Sequence, residues 1–279
     1  MKKLKSYIDI VRPVNVIITF LVVYVAGIIC GGEILFSLPL LFAAVSASFT
    51  AAAGNVINDI FDLEIDIINR PLRPLPSGIV VKSEAIIYYI SLVFISLAVS
   101  LTISFPAVLI VILTNLILFL YSKYLKSVPL IGNISVSVCT GLAFIFGGIA
   151  VGSVENSMIP AIFAFFITII REIIKDIEDI KGDSINNQTT LPVKYGLGIT
   201  KRILVALILS LIFATIYPFI TGEYKIEYLI LVLFLVDLPL VYLIREIYSG
   251  DFKDKLSFLS LKLKVLMIFG LIAIFVGIY

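Results

Sequence analysis

Residues 54–78, GNVINDIFDLEIDIINRPLRPLPSG, decide how the rest of the chain is read. They follow an apolar run at 35–53 and precede another at 85–101. Asn58, Asp62 and Asp66 recur at i, i+4 and i+8, a spacing that stacks three side chains along one helical face. Asn55 and Asp59 form a second polar row beside them. Pro71, Pro74 and Pro76 end the helix, and Arg70 and Arg73 sit in the loop that follows. Ionised carboxylates accept bonds or bind metal, and arginines clamp phosphates with a rigid fork. The pattern therefore predicts a site for a metal–phosphate complex at the end of a membrane helix. The ordinary alternative is a solvated turn beside the membrane. It leaves stacked carboxylates repelling one another with nothing to offset their cost, and a divalent cation is the simplest group that does so.

The membrane follows from composition. Of 279 residues, 61% are hydrophobic, and mean hydropathy is +1.16. Several apolar runs approach the roughly 20 residues that span a bilayer. The expected fold class is all-α, a polytopic membrane protein forming a single domain over 1–279. Histidine is absent, which excludes His-ligated zinc or haem, HExxH hydrolases and Ser-His-Asp triads. Cys30 and Cys139 lie in apolar runs and read as small core residues, not a disulfide framework. The basic leader at 1–15 runs into a full span, so no cleavable signal peptide is expected. Without tryptophan, tyrosine alone serves the aromatic belt.

Nine spans are expected, near 13–31, 38–64, 83–104, 106–122, 131–152, 158–180, 201–220, 227–247 and 258–278. Almost nothing polar separates the third from the fourth, and the charge distribution supports that split. With nine spans, all but Lys225 of the 21 lysines and arginines fall on one side. A wrong count scatters them over both faces. By the positive-inside rule the N-terminus and the long polar loops are cytoplasmic and the C-terminus lies outside, in a multi-pass cell-membrane protein. The outer connections are short, and the long cytoplasmic loops after spans 2 and 6 carry the motifs.

The second motif is REIIKDIEDIKGD, 171–183, closing span 6. Asp176, Asp179 and Asp183 share a helical face at i, i+3 and i+7, with Glu172 one turn earlier. Arg171, Lys175 and Lys181 supply cations, and SINNQTTLPVKYG continues as turns to the next span. Intrahelical Lys–Asp pairs alone would account for such a helix end. Its partner stripe on the same membrane face argues for more, and the two stretches hint at an internal repeat. Two carboxylate clusters with Arg and Lys suit a diphosphate held through Mg²⁺, which prefers hard oxygen ligands. Ionisation of an allylic diphosphate leaves a carbocation for a nucleophile to capture, while the apolar bundle holds a long hydrocarbon tail. Elsewhere, mid-span Asp237 beside Pro239 reads as structural before catalytic. Asn115 and Asn133 either line a cavity or bond across helices.

NDIFDLEIDIINRPLRPLPSG and KDIEDIKGD resemble the two aspartate-rich motifs of the UbiA superfamily of intramembrane prenyltransferases. The family pattern NxxxDxxxD falls on Asn58, Asp62 and Asp66; the second pattern falls on Asp176, Asp179 and Asp183; the Arg-Pro-x-Arg-Pro loop falls on 70–74. RPVN, 12–15, is similar to the start of the family's first helix. The resemblance implies nine helices around a central cavity with cytoplasmic caps, and Mg²⁺-dependent transfer of a prenyl group from its diphosphate. It implies Asp62, Asp66, Asp176 and Asp179 as catalytic residues. Metal binding would fall to Asn58, Asp62, Asp66, Asp176, Asp179 and Asp183, and diphosphate binding to Asn58, Arg70, Arg73, Tyr121, Lys126 and Lys181. In YSKYLK, 121–126, Lys123 competes with Lys126 for that role.

Within the superfamily, 171–183 and LIGNISVSVCTGLAFIFGG, 130–148, are most similar to the archaeal lipid-ether branch. That branch joins geranylgeranyl diphosphate to geranylgeranylglyceryl phosphate. The implied partners are a prenyl diphosphate donor, a lipid-phosphate acceptor and membrane lipid, with no nucleic acid. Lys2, Lys3, Lys5, Arg12, Lys181 and Lys194 are surplus cations for the acceptor's phosphate. An aromatic quinone precursor is the alternative acceptor. A cation-coupled transporter is the alternative of another class, but it would place its acids near the midplane on broken helices.

Overall fold

The computed structural model describes residues 2–31, 36–185, 188–250 and 252–278, without the side chains of Lys2, Lys181, Ile185 and Lys253. Among the described residues there are helices and no strands. Nine of the helical stretches among the described residues are long and apolar enough to cross a membrane: Pro13–Gly31, Leu38–Phe61, Lys82–Leu101, Phe105–Lys123, Ile131–Ala150, Val154–Glu178, Leu191–Ile220, Ile226–Ile247 and Leu256–Ile278. Such spans are the expected solution, because an α-helix satisfies its backbone polar groups internally where no water is available. We label the helices α1 (Lys2–Ile10), α2 (Pro13–Gly31), α3 (Leu38–Phe61), α4 (Leu63–Asn69), α5 (Lys82–Leu101), α6 (Phe105–Lys123), α7 (Ile131–Ala150), α8 (Val154–Glu178), α9 (Ile180–Ile185), α10 (Leu191–Ile220), α11 (Ile226–Val232), α12 (Leu238–Ile247) and α13 (Leu256–Ile278). A π-helical turn, Leu233–Asp237, joins α11 to α12 within the eighth span.

The chain resolves into two compact units. Met1–Leu125 with Leu142–Met158 form the first; Lys126–Gly141 with Ile159–Tyr279 form the second. In the first, α3 is the hub, packing on α2, α5 and α6. Its run of Ala43, Ala44, Ala47, Ala52 and Ala53 is buried, and small side chains let membrane helices approach closely. Gly147 on α7 presses hardest on α2. A Cβ there would lie 2.7 Å from both Gly27 N and Val23 O, so only glycine fits that backbone contact. In the second unit α11, the π turn and α12 pack with α10 and α13.

Three local features depart from the sequence expectation. Residues 2–10 form a helix, α1, that buries Ser6 and Ile10 and exposes Leu4 and Ile8. Lys3 and Tyr7 fasten it to Glu84, at 2.6 and 3.0 Å. The seventh span starts at Leu191, not at 201. Thr190 is its N-cap residue, with Pro192 in the first turn, and a break at Gly196 (φ 76°) separates that turn from the rest. Asp237 finds its partner on another span. Its two carboxyl oxygens face Thr215 Oγ1 at 3.0 and 3.1 Å, and Tyr228 donates to the Thr215 carbonyl at 2.7 Å.

Candidate active site: two aspartates at helix breaks

In the first unit, α3 ends at Phe61 and α4 begins at Leu63, so Asp62 is the hinge residue (φ −86°, ψ 0°). The i→i+4 backbone ladder survives the break. Asp62 N bonds Asn58 O at 2.9 Å, Asp66 N bonds Asp62 O at 2.8 Å, and Arg70 N bonds Asp66 O at 2.8 Å. The predicted row is therefore kept together by its own backbone. Asn58 Nδ2 donates to Asp62 Oδ2 at 2.9 Å, which fixes one face of that carboxylate. Asp66 is buried and accepts from Arg73 Nη1 at 2.5 Å. Arg70 caps α4 as an exposed residue.

Arg73 returns to the helix because the loop that carries it is compact. Arg73 N bonds Arg70 O at 3.0 Å, Ser77 N bonds Arg73 O at 3.0 Å, and Val80 N bonds Pro74 O at 3.1 Å. Leu75 and Val80 pin the loop from below, inside a core cluster that includes Ile10, Val56, Ile60 and Ala85. Asn55 and Asp59, whose part was open from sequence, turn to the α1–α2 turn. Asn55 donates to Val11 O at 2.8 Å, and Asp59 pairs with Arg12 and, at 3.4 Å, with Arg73. Arg12 has φ 54°. A non-glycine residue held in that left-handed region costs of order 1–3 kcal/mol and persists only where its surroundings fix it. The RPVN motif was the signal for this residue, although the sequence reading had Arg12 only among surplus cations.

The second unit repeats the device. Asp179 is a bend between α8 and α9, as Asp62 is between α3 and α4. Again the ladder runs on: Asp179 N bonds Lys175 O at 2.8 Å and Asp183 N bonds Asp179 O at 2.9 Å. Asp176 Oδ2 accepts from Asn133 Nδ2 at 2.9 Å, and Asp183 Oδ2 from Thr190 Oγ1 at 3.0 Å. Asn133 thus bonds across helices, whereas Asn115 bonds Val111 O on its own helix at 2.9 Å. Glu172, one turn before Asp176, accepts from Arg171 at 2.6 Å and Lys175 at 3.1 Å. Burial chiefly, and the neighbouring Asp179 charge, push the Asp183 carboxyl above the ordinary range, while the Thr190 bond pulls it back. Asp179 itself is exposed.

Tyr121 lies on the last turn of α6 and Lys126 in the 3₁₀ turn Leu125–Ser127. Lys123 sits 4.7 Å from the Tyr124 ring and 5.9 Å from the Phe119 ring, within cation–π range of both. The Lys181 side chain lies outside the described residues. Among the described residues, no three acidic, cysteine or histidine side chains converge closely enough to hold a metal by themselves. The donors present are carboxylates and amides, the hard oxygen set that suits Mg²⁺, which habitually keeps waters and shares phosphate oxygens. The residues fit a metal that arrives with a phosphorylated substrate.

Two aspartate rows at helix ends, each followed by a cationic loop, match a known family. Residues 18–272 match the UbiA prenyltransferase family. The chain belongs to it. Digeranylgeranylglyceryl phosphate synthase of Methanosphaera stadtmanae is 33% identical over 276 residues, covering 98% of this chain and 99% of the relative. Among solved structures, one described as giving insight into digeranylgeranylglyceryl phosphate synthase in membranes superposes with a TM-score of 0.90 at 34% identity, covering 100% and 99% of the two chains. A UbiA homologue from Archaeoglobus fulgidus bound to DMAPP and Mg²⁺ shares the fold, with a TM-score of 0.76 at 23% identity over 96% and 99%. As a UbiA-family chain with nine membrane-length apolar helices among its described residues, this is a multi-pass membrane protein.

Proposed function

We propose that this UbiA-family protein is a single prenyltransferase domain over 1–279 that moves a geranylgeranyl group from geranylgeranyl diphosphate to geranylgeranylglyceryl phosphate. The product is the second ether of an archaeal membrane lipid, and the reaction depends on Mg²⁺. The observation that carries the reading is full-length likeness to a digeranylgeranylglyceryl phosphate synthase, 33% identity across 98% of this chain, with both aspartate rows in place.

Asn58, Asp62, Asp66, Asp176, Asp179 and Asp183 would hold the metal, and Asp62, Asp66, Asp176 and Asp179 carry most of the catalytic burden. When bound, Mg²⁺ neutralises charge that grows on the departing diphosphate. Asn58 keeps Asp62 oriented through its 2.9 Å bond, and Asn133 does the same for Asp176. Arg70, Arg73, Tyr121, Lys126 and Lys181 direct donors at the diphosphate oxygens, where charge-assisted bonds are strongest. The acceptor hydroxyl attacks the allylic carbon, and its proton passes to a carboxylate or to the released diphosphate. The spans supply an apolar environment for the prenyl chain. The N-terminus and both motif loops face the cytoplasm, with the C-terminus outside the cell membrane.

The deciding experiment supplies purified protein and Mg²⁺ with geranylgeranyl diphosphate and either geranylgeranylglyceryl phosphate or an aromatic acid. Ether product from the lipid phosphate is expected, and chelation with EDTA abolishes it. Product from the aromatic acid alone would overturn the assignment.

A further inference from the structure

The second polar row of α3 has no part in the metal reading, yet the structure spends both of its side chains on one element. Asn55 holds the Val11 carbonyl at 2.8 Å, which anchors the α1–α2 turn on α3. Four residues on, Asp59 accepts at a single oxygen, Oδ1, from Arg12 Nη2 and from Arg73 Nη1, the latter at 3.4 Å. Arg73 Nη1 also reaches Asp66 Oδ2 at 2.5 Å. The Asp59 side chain is 4% exposed, whereas those of Arg12 and Arg73 are 33% and 22% exposed. A carboxylate that deeply buried persists only when paired. Here the pairing gathers two guanidinium groups from separate loops onto one oxygen.

Two arginines and two aspartates balance in charge, but the arginines are the members that stay accessible. Each guanidinium has five N–H donors in a fixed fork. The bonds to Asp59 and Asp66 use Nη2 of Arg12 and Nη1 of Arg73. The left-handed backbone at Arg12, directly before Pro13, adds a second sign that its placement is imposed. Forked donors in a pair match a phosphoryl oxyanion better than any single cation does.

We propose that Asp59 is a positioning residue that holds Arg12 and Arg73 as a paired guanidinium clamp for a phosphate group of a substrate, making Arg12 a phosphate-binding residue. The inference rests on the prenyl-transfer reading for its substrates. The shared chemistry is a phosphate oxyanion, supplied either by the donor's diphosphate or by the acceptor's phosphate. Asp59 takes no part as a metal ligand.

The test compares wild type, Asp59→Asn, Arg12→Gln and the double variant, with rates measured against donor, acceptor and Mg²⁺ separately. The expected result is a KM increase of about 10- to 100-fold for one phosphate substrate, the same one in both single variants. The double variant loses much less than the product of the two, and Mg²⁺ half-saturation stays within about threefold. A donor KM effect identifies the diphosphate as the group clamped; an acceptor KM effect identifies the lipid phosphate. A shift in Mg²⁺ half-saturation with both KM values unchanged makes Asp59 a metal ligand and overturns the clamp. So does a uniform fall in kcat with both KM values unchanged. If Asp59→Asn does not fold, Arg12→Gln and Arg12→Lys carry the comparison, with Lys restoring charge but not the fork. Thermal stabilisation by inorganic pyrophosphate and by glycerol phosphate separates this idea from the substrate assignment, because it needs no turnover. Loss of that stabilisation in the variants supports the clamp even if the acceptor is wrong; equal stabilisation of all proteins by both probes ends it.

Discussion

Asn133 holds an aspartate of the second row. The residue is 8% exposed and its amide nitrogen reaches Asp176 Oδ2 at 2.9 Å. Ser137 Oγ binds the Asn133 carbonyl at 2.7 Å, and Leu130, three residues earlier, takes a left-handed turn (φ 66°) that starts α7. Both concern the backbone that carries Asn133. An unheld carboxylate must be reoriented each time a metal binds, and loss of such outer partners typically costs about 10- to 100-fold in metal affinity or activity. Asn133→Ala should therefore raise the Mg²⁺ concentration for half-maximal rate by that factor while the donor KM at saturating Mg²⁺ moves little. A titration of initial rate against Mg²⁺ checks it, and an unchanged midpoint would show that Asp176 is held by something else. Asn133→Asp is the harsher change, because it puts a second carboxylate where a donor stood.

At the scale of the helices, most of the architecture was legible because the bilayer enforces one periodicity. Among the described residues, nine spans are found in the expected order, the first at Pro13–Gly31 as expected, while the second ends at Phe61 and the seventh begins ten residues early at Leu191. The helix breaks were not legible. Asn58, Asp62 and Asp66 keep their i+4 spacing through a bend, since the backbone ladder continues across it, so the pattern is the same for a straight helix and a broken one. The short turn 191–195 was hidden for a different reason: Leu-Pro-Val-Lys-Tyr-Gly is equally compatible with a loop, and only its Thr190 cap residue and the Gly196 break define it. The partner of Asp237 was out of reach because Thr215 lies 22 residues away on another span. Close helix contacts were equally hidden. Gly147 resembles any small residue in sequence, but a methyl there meets Gly27 N and Val23 O at 2.7 Å, backbone that cannot swing aside. Overpacking of this kind costs about 1–3 kcal/mol, whereas side-chain hydrogen bonds between membrane helices average about 0.6 and reach about 1.7 kcal/mol. Gly147→Leu should accordingly lower the melting temperature more than Thr215→Val, which removes the hydroxyl facing Asp237. Thermal denaturation of both variants in one detergent decides the order. The reverse ranking would mean that the buried carboxyl, not helix approach, limits stability.

For the molecule as a whole, the decisive quantity is sidedness, because a cytoplasmic site and an external one meet different pools of phosphorylated substrate. An odd number of spans places the termini on opposite faces. The proposed orientation rests on charge: with nine spans, only Lys225 of the 21 cations falls on the sparse face. Each short loop rich in Lys or Arg resists translocation, and the bias is strongest when every loop agrees. Ser77, in the loop after the first aspartate row, and Glu223, in the short connection between α10 and α11, are both exposed, and the proposed topology assigns them to opposite sides. The two native thiols are removable: Cys30 is buried and Cys139 partly so. In a Cys30→Ala, Cys139→Ala background, Ser77→Cys should resist a membrane-impermeant maleimide on intact cells and react after the membrane is opened. Glu223→Cys should react on intact cells. Reaction of Ser77→Cys from outside would invert the topology. It would also move both aspartate rows to the external face, away from cytoplasmic Mg²⁺ and diphosphates, and the proposed reaction could not then draw on either.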